Sequence, residues 1–414
     1  MNSVLDVDRP YANASPIVHA LVNNSPTYTL CGKWFGNLSN GESALGSPVG
    51  NSEWITCPEC RGCLVAQTMS IEEYEPKSTL IVPEHHLTCA RYPFVDIHNH
   101  HHSLLSAQKL DQLVKDMEEM NLQVMVNLSG GYGNTLTSRV RNVKDRYPRR
   151  FAVFANIDFS DLDAPGYSHR AAHQFEEDVR NGAQGLKVFK NFGMDLRDIA
   201  GRRIHVDDPR FDELFDACAI LKTPVLIHTA EPPSFFDPVD KYNERWLELK
   251  RFPSRARSPE YYPGWQTLLD EQYRLFARHP NTVFINAHLG WLGGNLDKLG
   301  RLMDSLPNMY TDIAAVLPEL GRQPRHARNW FIRYQNRVLF GKDSWNVAEY
   351  HTYFRVLETT DEYFDYYRKY HCFWKLYGLD LPNAVLRKLY YENALHILPG
   401  IVRTPFVEGS RPTV

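Results

Sequence analysis

The stretch Phe94-Val95-Asp96-Ile97-His98-Asn99-His100-His101-His102 passes from strand-forming apolar residues straight into four histidines in five positions. Aromatic and β-branched residues before a polar cluster mark a buried strand that ends at the histidines. In an extended segment, residues i and i+2 share a face, so His98 and His100 point the same way and Asn99 turns away. Two imidazoles on one face can grip a single ion. Neutral imidazole suits zinc and other transition metals, and a carboxylate completes such a shell while leaving a position for water.

Outward from this strand, seven more apolar runs follow: 123–128, 151–157, 185–189, 224–228, 282–288, 309–314 and 337–343. Amphipathic stretches such as "SAQKLDQLVKDMEEM" and "DDPRFDELFDACAIL" separate most of them. Eight strand–helix alternations predict an α/β chain folded as a (β/α)8 TIM barrel over residues 93–400. Barrels carry their chemistry at the C-terminal ends of the strands. Those ends read His98 and His100 on the first strand, His228 on the fifth, His288 on the sixth and Asp343 on the eighth, with Lys187 inside the fourth. Imidazole, carboxylate and amine at one mouth are the groups that bind and use a divalent metal. The longest connection follows the fifth strand and includes "PPSFFDPVDKYNERWLELKRFP". A loop of that length is expected to act as a lid or to meet substrate, and it offers Glu231, Asn243, Glu244 and Arg245.

The ordered set His98-x-His100, His228, His288 and Asp343, with "NAHLG" (286–290), "FGKDS" (340–344) and "YENALHIL" (391–398), resembles the amidohydrolase superfamily, in particular the branch that includes aminocarboxymuconate-semialdehyde decarboxylase. The resemblance implies that His98, His100, His228 and Asp343 are metal ligands. It further implies that Asp343 and His288 are catalytic, Asp343 as the proton shuttle and His288 beside the reactive water, orienting or polarising it and the substrate. The ion, Zn2+ or another divalent transition metal, would lower the pKa of a water to about 7.

Lys187 needs a partner, because a buried, uncompensated ammonium is costly. Three are open: a carbamate bridging two ions, an anionic substrate, or a neighbouring acid. One catalytic metal with Lys187 facing substrate is the expectation. Lys190, His101 and His102 are expected in solvent. Strand seven leads into "PELGRQPRHARNWF", where Arg322 and Arg325 are candidates to clamp a substrate carboxylate beside Glu319; the competing reading is an exposed basic helix face.

Composition changes near residue 70. Of the seven cysteines in 414 residues, four lie between Cys31 and Cys63, and Cys89, Cys218 and Cys372 stand apart. Cys57-Pro58-Glu59-Cys60 has the form of half a zinc knuckle. Residues 1–70 are therefore expected to form a small Cys-rich segment around a second, structural Zn2+ held by His19, Cys31, Cys57 and Cys60, with Cys63 able to replace His19. Residues 71–92 read as a connector and 401–414 as a tail.

A net charge of −3 gives no attraction for nucleic acid. No run approaches the ~20 apolar residues that span a bilayer, and no basic–apolar leader opens the sequence, so a cytoplasmic location is expected. The expected partner is a small-molecule substrate, and barrels of this kind often pair into homo-oligomers. The leading functional expectation is a metal-dependent hydrolase of an amide, lactone, ester or imine carbon. The alternatives are a nonoxidative decarboxylase on the same scaffold, and a zinc-knuckle binding protein with a non-catalytic barrel.

Overall fold

A computed structural model of the chain describes residues 69–70 and 73–407. The chain divides into two compact units, Met1–Leu80 and Ile81–Val414. The expected structural zinc ligands His19, Cys31, Cys57 and Cys60, with Cys63, lie outside the described residues.

The strands of the second unit are β1 (Phe94–Asn99), β2 (Leu122–Asn127), β3 (Phe151–Val153), β4 (Ala155–Asn156), β5 (Leu186–Val188), β6 (Val225–Ile227), β7 (Phe284–Asn286), β8 (Met309–Asp312) and β9 (Val338–Leu339). Neighbours pair in parallel in two ladders, β1-β2-β3 and β4 through β9 in sequence order. Backbone bonds join the two ladders into a closed ring. At one seam Phe154 N–H donates to the Asn127 carbonyl (3.0 Å) and Ala155 N–H to the Gly185 carbonyl (2.9 Å), so β3 and β4 are one stave interrupted at Phe154. At the other, Ile97 N–H donates to the Phe340 carbonyl (3.0 Å) and Asp343 N–H to the His98 carbonyl (2.7 Å). The result is the expected eight-staved barrel, with no sheet edge left bare.

Parallel strands covered on both faces read as continuous apolar runs, which is why they were visible in the sequence. The longer helices are α1 (Ala107–Glu119), α2 (Gly133–Lys144), α3 (Tyr167–Arg180), α4 (Asp212–Ile220), α5 (Trp265–Arg278), α6 (Leu296–Ser305), α7 (Pro324–Tyr334) and α8 (Val347–Glu358), one after each stave. α1 shows how they form. Ser106 caps it by accepting from Lys109 N–H, and Leu110, Leu113, Val114 and Met117 bury one stripe against the barrel. Each such side chain stabilises the fold by about 1.5–3 kcal/mol. Among the described residues no helix is long and apolar enough to cross a membrane.

Gly341 lets β9 approach β1 beneath the barrel mouth. A Cβ there would lie 2.9 Å from the His98 Cβ, 3.3 Å from that of Ala314 and 3.5 Å from that of Asp312. The segment before β1, read as connector, is docked: His85 N–H donates to Asp361 (2.8 Å) and Arg91 N–H to Glu358 (3.0 Å).

Candidate metal centre

Histidines and carboxylates from several strand ends meet at one mouth. His98 is fully buried on β1, and its Nδ1 lies 2.9 Å from Asp312 Oδ2 at the end of β8. A carboxylate accepts, so the imidazole hydrogen sits on Nδ1 and Nε2 presents a bare lone pair. That Nε2 is buried without a hydrogen-bond partner, 3.3 Å from Asp343 Oδ1. His100 Nε2 lies 3.7 Å from the same oxygen, and its Nδ1 meets the Ser129 hydroxyl at 2.9 Å. The ligand atoms of His98, His100 and Asp343 all fall within 4.8 Å of one another.

His228, just beyond β6, lies across His288. His288 Nδ1 faces the Ala314 carbonyl at 2.8 Å, and its Nε2 is 3.3 Å from His228 Nδ1. A carbonyl only accepts, so His288 carries its hydrogen on Nδ1 and its Nε2 must accept from His228 Nδ1–H. The second consequence is again a bare, buried, unpartnered Nε2, now on His228, 3.9 Å from Glu231 Oε2. His288, expected beside the reactive water, thus has both ring nitrogens engaged. It reaches this position through a left-handed turn, with φ of 58° at His288, 54° at Leu289, 58° at Gly290 and 56° at Trp291. Left-handed non-glycine residues cost about 1–2 kcal/mol each. The turn is held by His288 N–H on Asp312 Oδ1 (3.0 Å) and stacks the Trp291 ring on His288 at 4.5 Å.

The electrostatics favour ligation. Burial, with the neighbouring Lys187 and His288, holds His98 well below the usual imidazole range. Burial and the neighbouring His98 and Lys187 bring His100 down to about 2. Both are therefore neutral, the form that binds metal. Burial alone would raise Asp343, but His98, His288, His100 and Lys187 outweigh it and bring its carboxyl to about 2. Asp343 is ionised and about one third exposed, with a positive φ of 84° that turns it back over the mouth. Burial raises Asp312 above the usual carboxylate range against the pull of His288 and two backbone N–H groups.

Lys187 on β5 is 1% exposed and its Nζ has no hydrogen-bond partner. Burial brings it down to about 7, opposed by Asp312 and Asp343. Lys190 is not left to solvent: it is half exposed but pairs with Glu231, which also takes Arg257 at 2.8 Å. Of the loop histidines, His102 is exposed, whereas His101 folds back on β2, donating its N–H to Asn127 Oδ1 (3.0 Å) with Nε2 3.0 Å from Met125 Sδ. Arg322 pairs with Glu244 at 2.9 Å and lies over the Trp374 ring at 4.4 Å. Arg325 is exposed in the first turn of α7. Neither arginine is among the main charges acting on His98, His100 or His228. The long loop after β6 is fastened by ion pairs: the buried Arg245 holds Glu248 (3.0 Å) and Glu319, and the partly exposed Arg255 holds Glu248.

Sequence reasoning did not assign roles to Asp312, Ser129, Trp291 or Arg257. Asp312 closes the observed β8, but the run predicted as the seventh strand extended to Ala314, so the strand-end rule that picked out the histidines passed over it.

The family model described as amidohydrolase (Amidohydro_2) matches residues 104–400, beginning just past the first-strand histidines. No curated protein matches. Among solved structures, a TIM-barrel protein from Bordetella bronchiseptica is 15% identical, with 70% of this chain and 82% of that chain covered and a TM-score of 0.44. A dihydroxybenzoic acid decarboxylase from a Polaromonas species, solved with bound manganese and 2-nitroresorcinol, is 13% identical over 74% of this chain and 96% of that one, with a TM-score of 0.46. A 4-oxalomesaconate hydratase from Rhodopseudomonas palustris is 14% identical, with 74% and 95% covered and a TM-score of 0.44. The family match spans most of the barrel and rules against a non-catalytic scaffold: this chain belongs to the amidohydrolase family and is an enzyme of that superfamily.

Proposed function

We propose that the enzyme is a metal-dependent hydrolase of a small organic substrate, with one divalent cation held by His98, His100, His228 and Asp343. The observation that carries this reading is the bare, buried Nε2 of His98 grouped within 4.8 Å of His100 and the ionised Asp343; His228 Nε2, also buried and without a partner, lies outside that group and is proposed as the further ligand. Buried polar atoms without partners are rare unless a ligand completes them. A bound Zn2+, or another divalent transition ion, would supply Lewis-acid polarisation and acidify water there.

The protein's own residues do the rest. Asp343 Oδ1, 3.3 Å from His98 Nε2 and open to the mouth, accepts the proton of the attacking water and returns it to the leaving group. His288 keeps His228 in its ligating tautomer. Lys187 is the cation for an anionic group on the substrate, since among the described residues its Nζ has no hydrogen-bond partner. Arg322 is assigned to the rim, where an incoming carboxylate would compete with Glu244 for its guanidinium.

Lys187 also supports a second reading, nonoxidative decarboxylation of a small aromatic or unsaturated acid, in which a buried ammonium receives the substrate carboxylate. Incubation with candidate lactones, amides and aromatic acids in 18O-labelled water separates the two. Label appearing in the product supports hydrolysis, and release of CO2 without label in the organic product supports decarboxylation.

A further inference from the structure

We propose that Asp312 is a positioning residue that sets both halves of the metal centre at once, an inference that rests on the metal-dependent reading above. Its two oxygens serve three donors. Oδ2 takes the His98 Nδ1 hydrogen at 2.9 Å, and Oδ1 takes the backbone N–H groups of His288 and Ala314, each at 3.0 Å. The first bond leaves His98 Nε2 bare. The second pins the left-handed turn so that His288 reaches the Ala314 carbonyl and passes its tautomer to His228. One carboxylate on β8 therefore fixes two ligands that stand 130 positions apart in the chain, at 98 and 228.

Asp312 also lies within 4.8 Å of His98 and His288 ligand atoms, a grouping that could itself hold an ion. Three N–H donors already face its oxygens, however, and an ion there would have to displace the hydrogen that makes His98 a ligand through Nε2. Orienting fits these contacts and ligation does not.

The test uses the full chain, stripped of metal by chelation. In the wild type, long-range 1H–15N spectra of the histidine rings are expected to show the hydrogen on Nδ1 of both His98 and His228, assigned with His98→Gln and His228→Gln variants. Hydrogen on Nε2 of either ring overturns the proposal without any Asp312 variant. In Asp312→Asn, the amide oxygen still accepts from His288 and Ala314, while the amide N–H2 turns a donor toward His98 Nδ1. The His98 hydrogen is then driven to Nε2. Calorimetric titration with Zn2+ is expected to show affinity about 10–100-fold weaker, with the denaturation midpoint of the metal-free protein close to wild type. Unchanged Zn2+ affinity in a folded Asp312→Asn protein overturns the proposal, as does an equal loss of affinity and of metal-free stability that Asp312→Glu does not partly restore. If wild-type protein takes up no Zn2+ or Mn2+ at all, it is the metal-dependent reading that fails, and the ring spectra still decide the role of Asp312.

Discussion

Replacing Lys187 with Met should stabilise the metal-free protein while damaging the enzyme. The side chain is almost fully buried, its Nζ lacks a hydrogen-bond partner, and burial lowers it from 10.5 to about 7. At about 1.4 kcal/mol per pH unit, keeping that amine in the barrel costs about 4 kcal/mol at pH 7 relative to the unfolded chain. Methionine has a similar length and fills the same space without a polar head. Allowing for imperfect repacking, a gain of about 2–4 kcal/mol is expected. The sign of the pH dependence comes from the same shift. The folded state binds fewer protons than the unfolded one between pH 7 and 10.5, so wild-type stability climbs as pH rises through that window. Lys187→Met should lack the climb. Urea unfolding of chelated protein at pH 7 and pH 9.5 measures both effects. A variant less stable than wild type at pH 7, or a wild type whose stability is flat between the two pH values, would refute the idea of an unpaired buried ammonium.

Contacts around the mouth set other outcomes. His371 is buried, and burial together with Arg245, Arg368 and Arg255 brings it down to about 2, so it stays neutral in the fold. Its contribution is present above pH 6.5 and lost as pH falls; His371→Phe should flatten the acid limb of the stability curve, by about 2–3 kcal/mol at pH 4.5 in chemical unfolding. Arg245→Met leaves the largely buried Glu319 without its partner and Glu248 with Arg255 alone and should cost about 3–5 kcal/mol, whereas the exposed Arg325→Met should shift the unfolding midpoint hardly at all. Equal effects of the two substitutions would contradict the fastening of the long loop by Arg245.

The barrel was legible because parallel staves must be apolar on both faces and the helices between them on one. Phe94 through Ile97 and Val225 through Ile227 could be read as strands from side-chain type alone. The histidines were legible because imidazoles at strand ends are scarce and chemically distinctive. Asp312 was not, because its meaning lies in a contact with a residue 214 positions away. Ala314 was invisible in principle: it acts through its carbonyl oxygen, which every residue possesses. Nor could the sequence announce the turn at 288–291, where Gly290 is the sole glycine in a run of four left-handed residues. Packing of the surrounding strands imposes that conformation. For Arg322 and Arg325, spacing placed both near the mouth, but only the helix start at Pro324 decides which face each occupies.

The central claim is that one cation bridges imidazoles from β1 and the β6 end with the carboxylate after β9. Crystals of the metal-replete enzyme, measured on both sides of the zinc or manganese absorption edge, test it most directly. The expected result is an anomalous peak within bonding distance of His98 Nε2, His100 Nε2 and Asp343, with His228 Nε2 as the further ligand, and an unmodified Lys187. A peak at the outlying group His205, Asp207 and Glu271 with none at the barrel mouth would contradict it.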